Sequence, residues 1–168
     1  MPTFTNKASP DDPRAYIVSL DNIEGDDELD TALLIAMAKE GEAYLRSFAW
    51  CLDIKQGRLV DGFGGIIALL LFQVTIRNVP DDEWVWIFIG DVPSAYLEAE
   101  PFATPHAALR RYLDGLDEWI AATEAGKPLQ DLIPIEVTPS PELIAQLRPR
   151  IKTLREQILP HISNHRAR

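Results

Sequence analysis

The chain has 168 residues, 46% hydrophobic and 25% charged, with a net charge of −10 and a single cysteine. A chain this long buries about 70% of its unfolded surface, and its apolar content excludes intrinsic disorder. One cysteine excludes an internal disulfide framework, and 26 acidic against 16 basic residues argue against a general nucleic-acid binder.

Residues 1–13 read as a flexible leader rich in Pro, Asp, Ser and Thr, residues 14–160 as one domain, and residues 161–168 as a basic tail. The leader carries no signal-peptide core, and the longest strictly apolar run, residues 66–72, is far short of the roughly 20 residues that span a bilayer. A cytoplasmic protein with a reduced thiol and no membrane partner is expected.

Residues 15–20 alternate as a short strand with Tyr16, Val18 and Leu20 on one face. An acid-rich stretch then opens a helix, with Asp26 or Asp27 as N-cap and Asp27, Glu28 and Asp30 complementing the helix dipole. Leu29, Leu33, Ala36, Met37 and Tyr44 follow helical spacing, and Gly41 either ends or weakens this helix. Residues 48–54 alternate as a half-buried strand with Phe48, Trp50, Leu52 and Ile54 on one side. Gln56 and Gly57 suggest a turn. Residues 66–76 form a nearly continuous apolar strand of the kind found in a sheet centre, Asn78 to Asp82 supply turn chemistry, and residues 84–89 form the next strand.

The second half is helical. Thr104 and Pro105 open a helix with Leu109, Tyr112, Leu113, Leu116 and Ile120 as its stripe, and Ser140 and Pro141 open another with Leu143, Leu147, Ile151, Leu154 and Ile158. Pro149 predicts a kink or two helical pieces. This order predicts an α+β domain: a mainly antiparallel sheet of about four strands with three or four helices packed against it.

The expected motifs of common enzymes are missing. A dinucleotide fingerprint from Gly62 and Gly64 would need glycine where Ile67 stands, and a β-rich run follows instead of a helix, so residues 62–65 read as a bulge or hairpin. An EF-hand built around Gly25 would begin at Leu20, which supplies no side-chain oxygen. His161 and His165 are four residues apart but lie in the tail, and Cys51 has no neighbouring ligand, so neither a metal site nor a cofactor is expected.

The residues that remain are Asp91, Tyr96 and His106 as catalytic candidates, and Trp86, Gly90, Asp91 and Tyr96 as ligand-binding candidates. A rigid strand delivers Gly90 and Asp91 to what reads as a loop, where functional side chains concentrate. His106 stands in the first turn of its helix, where the dipole favours a neutral ring. Cys51 and His106 would be the only thiol–imidazole pairing of interest. Residues 141–168 carry six Lys or Arg against Glu142 and Glu156, a net +4, which leaves −14 on residues 1–140. Arg148, Lys152 and Arg155 are therefore candidates for a partner surface, or for a solvated face that neutralises the acidic body.

The segments Gly64-Gly65-Ile66-Ile67-Ala68, Trp84-Val85-Trp86, Gly90-Asp91-Val92-Pro93-Ser94-Ala95-Tyr96-Leu97, Asp131-Leu132-Ile133-Pro134 and Thr138-Pro139-Ser140-Pro141-Glu142 resemble an uncharacterised bacterial family, a domain of unknown function. The resemblance implies one unit over roughly residues 15–160 and no activity. Three readings follow. The first is a non-catalytic binding or regulatory protein, such as an immunity-type inhibitor of a basic protein partner. The second is an enzyme or small-molecule binder with a pocket near Asp91, Tyr96 and His106. The third is a homodimer paired through an uncovered strand among residues 66–76 or 84–89.

Overall fold

A computed structural model describes residues 15–167, and the leader expected over residues 1–13 lies outside them. Helix α1 (Glu28–Arg46) precedes four strands, β1 (Cys51–Phe63), β2 (Ile67–Ile76), β3 (Glu83–Gly90) and β4 (Val92–Glu98), and helices α2 (Pro105–Glu124) and α3 (Pro141–Thr153) follow. The strands form one antiparallel meander in the order β1-β2-β3-β4. The class is α+β.

The pleat of β2 explains the layering. Ile67, Leu69 and Leu71 point to the face covered by α2 and α3, whereas Ala68, Leu70, Phe72 and Val74 point to the face covered by α1. β3 divides the same way, Trp86 and Phe88 against Val85, Ile87 and Ile89. A strand buried on both faces has no polar side, which is why residues 66–76 carry an unbroken apolar run. Both strands offered as an uncovered edge are the two central ones; the edges are β1 and β4.

Four local expectations change. Residues 15–20 form no strand: the Ile17 N–H donates to Glu42 Oε1 at 2.7 Å, and a short 3-10 turn follows at Leu20–Asn22. Val18 and Leu20 are buried all the same, by packing against the α1 side of the sheet rather than by pairing. Gly57 makes no turn. It lies within β1 opposite Phe72, and a Cβ there would meet Phe72 Cδ1 at 2.3 Å, so glycine admits the aromatic ring. The strand starts at Cys51, and register shifts leave Leu52 exposed while Ile54 is buried. Residues 92–98 form β4 rather than a loop, and Pro93 is tolerated because β4 is an edge.

The helices also depart in detail. Asp27 caps α1, accepting the Asp30 N–H, but the buried face is Leu34, Met37, Ala38, Gly41 and Leu45. Leu29 and Leu33 face outward. α1 runs through Gly41 because a Cβ there would meet Leu70 Cδ1 at 2.2 Å; the glycine lets the helix approach the sheet. α3 likewise stays α-helical across Pro149, since the carbonyl that loses its donor belongs to the exposed Ala145. The change of winding comes later, in a π turn at Leu154–Ile158 and a 3-10 turn at Leu159–His161.

The described part of the expected tail is docked. Ile162 and Ala167 are buried, the Ala167 N–H donates to the Ala103 carbonyl, and the Ser163 N–H donates to Asp61. Among the described residues no helix is long and apolar enough to cross a membrane.

Candidate functional site

The β1–β2 and β3–β4 turns lie at the same end of the sheet, since Ile67 pairs with Gly90 and the Asp91 N–H donates to the Ile66 carbonyl at 3.1 Å. Gly90 has a packing reason: a Cβ there would meet the Ile66 oxygen at 2.1 Å. Gly65 has a conformational one, φ +75°, which the tight hairpin requires. Residues 62–65 thus end β1 and turn it back into β2.

Two helices are tied to this end. From α1, Asp30 Oδ1 accepts the Gly64 N–H at 2.6 Å, Asp30 Oδ2 accepts the Asp26 N–H at 2.8 Å, and Met37 Sδ lies 3.3 Å from the Gly65 nitrogen. The acidic run is therefore an N-cap plus a hairpin clamp. From α3, the Arg150 guanidinium pairs with Asp91 at 3.1 Å.

Between the turns and α3 lies a cleft of about 290 Å³, lined by Ile66, Asp91, Val92, Pro149, Arg150 and Leu154 among others. Its walls are largely apolar. Asp91, 65% exposed, is its only acid, and that acid is ion-paired. No imidazole or thiol lines it. Beside it, Leu33 sits 3.6 Å from where a Gly65 side chain would begin, and Leu29 is one turn away on the same helical face. Leu29, Leu33 and Ile66 are 69%, 37% and 42% exposed. Exposed carboxylates of Asp26, Asp27 and Glu28 border them in sequence.

The other candidates are elsewhere. Trp86 is buried in the core and its indole N–H donates to the Phe102 carbonyl at 2.9 Å, so it faces no cleft. Tyr96 belongs to an aromatic cluster on the α1 side, 4.9 Å from Trp50 and 5.2 Å from Phe48 by ring centroids. Burial raises its phenol pKa above the ordinary value. His106 lines a separate cleft at the start of α2 with Arg110 and Asn164. Burial also pushes the Cys51 thiol up, the opposite of an activated nucleophile. No cleft described here gathers Asp91, Tyr96 and His106. Among the described residues no group of three or more His, Cys, Asp or Glu side chains is placed to hold a metal ion.

Three arginines of α3 and the π turn, Arg148, Arg150 and Arg155, are matched within the chain. Arg148 pairs with Glu124 of α2, and Arg155 bridges Asp114 and Asp117 at 2.8 and 2.7 Å. Lys152 is exposed. Sequence reasoning missed Leu29, Leu33 and Arg150 as members of the turn end. The available signal was the second leucine stripe of α1, offset from the one containing Gly41 and Ala38, whose small side chains suit close packing on a sheet. Comparison with protein-family models, curated proteins and solved structures returns no match for this chain.

Proposed function

We propose that this protein is a non-catalytic binding protein that holds a basic protein partner at the turn end of its sheet. The observation that carries this reading is the exposed apolar trio Leu29, Leu33 and Ile66, beside the exposed carboxylates of Asp26, Asp27 and Glu28. Binding energy at interfaces concentrates in a few desolvated apolar anchors, while rim charges set encounter rate and partner choice. A negative rim on a chain of net charge −10 selects a positive partner. A second copy of this chain would bring the same carboxylates face to face across a two-fold axis, so the reading takes the partner to be a different, basic protein. We place it in the cytoplasm, where its single thiol stays reduced.

The test is affinity capture at low salt and at about 1 M salt, where the Debye length falls to about 3 Å. The wild-type chain and a Leu29→Ser/Leu33→Ser/Ile66→Ser variant serve as baits. A basic protein retained by wild type at low salt, and lost both in high salt and on the variant, is the expected result. Equal retention on both baits, or no salt-sensitive partner, overturns the reading.

A further inference from the structure

His106 and Arg110 stand one turn apart on α2 and line a cleft of about 390 Å³ with Phe102, Arg111 and Asn164. On an acidic chain this cleft collects two guanidinium groups and an imidazole. Their charges are unequally matched. Arg111 is held by Glu118 in a two-point pair at 3.1 and 3.3 Å. Asp114, which also lines the cleft, is held by Arg155 at 2.8 Å. Arg110 makes no ion pair among the described residues.

Asn164 is oriented by its neighbours. Thr104 Oγ1 accepts the Ala107 N–H at 3.1 Å, so its own hydroxyl proton goes to Asn164 Oδ1 at 3.0 Å. With the carbonyl end of the amide engaged, its NH₂ is the polar end left for the cleft. The backbone of the helix start is closed: the His106 N–H donates to the Ser163 carbonyl and the Ala108 N–H to the Thr104 carbonyl. A ligand here meets side chains, and those side chains offer donors.

We propose that this cleft binds a small phosphate monoester, its phosphate against Arg110, His106 and the Asn164 NH₂ and its organic group against the Phe102 ring. One guanidinium fork satisfies a planar carboxylate, whereas a tetrahedral phosphate presents oxygens to donors arriving from several directions. The volume lies within the range of small-molecule sites. This site is independent of the partner face at the turn end.

The experiment is calorimetric titration of the full chain with phenyl phosphate, inorganic phosphate and benzoate, with the His106 ring followed by NMR. Saturable binding in the order phenyl phosphate, then phosphate, then benzoate is expected, with the His106 resonances shifting alongside. Arg110→Ala, at an exposed position, weakens phenyl phosphate about tenfold, the usual size of a lost charge-assisted hydrogen bond. Lys127→Ala, at another exposed cation, leaves binding unchanged. Absence of saturation, insensitivity to Arg110→Ala, or equal weakening by Lys127→Ala overturns the site. Benzoate binding as tightly as phenyl phosphate overturns the phosphate assignment.

Discussion

Asp30 Oδ1 of α1 accepts the backbone N–H of Gly64 at 2.6 Å, a contact between a helix start and a hairpin turn 34 positions away. The same carboxylate also accepts the Asp26 N–H, so one side chain joins the pre-helix loop, the helix and the sheet. Asp30→Ala removes both acceptors and is expected to lower unfolding free energy by about 1–3 kcal/mol, the scale for hydrogen bonds to a charged group. Chemical denaturation measures the total, and amide exchange at Gly64 reports the local opening. Unchanged exchange there would mean that the hairpin holds its place without the clamp.

Gly41→Ala sets two effects against each other. Alanine favours a helix interior by about 1 kcal/mol over glycine. Against that, the new methyl group would stand 2.2 Å from Leu70 Cδ1 in a fully buried layer, and overpacking costs about 1–3 kcal/mol. Leu70 has no solvent to move into, so a net loss of stability is expected, seen as a lower midpoint of thermal unfolding. A rise would show that α1 can shift away from the sheet.

Ile162→Ala tests whether the chain end belongs to the core. Ile162 is 4% exposed and packs in the cluster that contains Trp86 and Tyr112. Truncating a buried isoleucine costs about 2–5 kcal/mol, whereas a residue in a loose tail would cost almost nothing. Urea unfolding separates the two.

Leu29→Ser should change stability by no more than about 0.5 kcal/mol, because its side chain already faces solvent, and Leu33→Ser, whose side chain lies partly against the Gly64–Gly65 turn, by about 1 kcal/mol. Loss of partner capture with unfolding changed no further than this is the expected pairing of results. A large drop in stability would move these leucines from a docking face to the fold itself.

Tyr112 is buried, stacks on Phe88 at 4.5 Å, and donates its hydroxyl to the Pro93 carbonyl at 2.5 Å. Burial raises its pKa well above the ordinary value near 10. A raised pKa in the folded state means that the unfolded chain gives up the proton first. Stability is therefore complete below about pH 10 and falls as pH rises beyond it. Near-ultraviolet tyrosinate absorbance should show Tyr112 ionising together with unfolding, and the alkaline decline should lessen in Tyr112→Phe.

Much of the fold was legible in the residues because each element announced itself locally. Thr104 with Pro105 and Ser140 with Pro141 open helices by filling orphan N–H groups, and the unbroken apolar run of β2 marks a strand covered on both faces. The misreadings share a cause. Residues 15–20 alternate like a strand yet find their hydrogen-bond partner in Glu42, and Gly57 resembles a turn residue until Phe72 is laid over it. Asp91 was legible as a strand-end residue at a cleft; its partner Arg150 was not, because 59 positions separate them.

By itself the sequence determined class, helix starts, the central strands and an uneven charge distribution, since propensity, capping and periodicity act over a few residues. Only the tertiary structure decided which leucines of α1 face the sheet and which remain in water, and that Arg148, Arg150 and Arg155 meet Glu124, Asp91, Asp114 and Asp117 within the chain. Such pairings depend on where distant segments come to rest. Tertiary contact likewise separated Asp91, Tyr96 and His106: the sheet holds Tyr96 on the α1 side, while Asp91 in the β3–β4 turn meets α3 and His106 lines a different cleft at the start of α2.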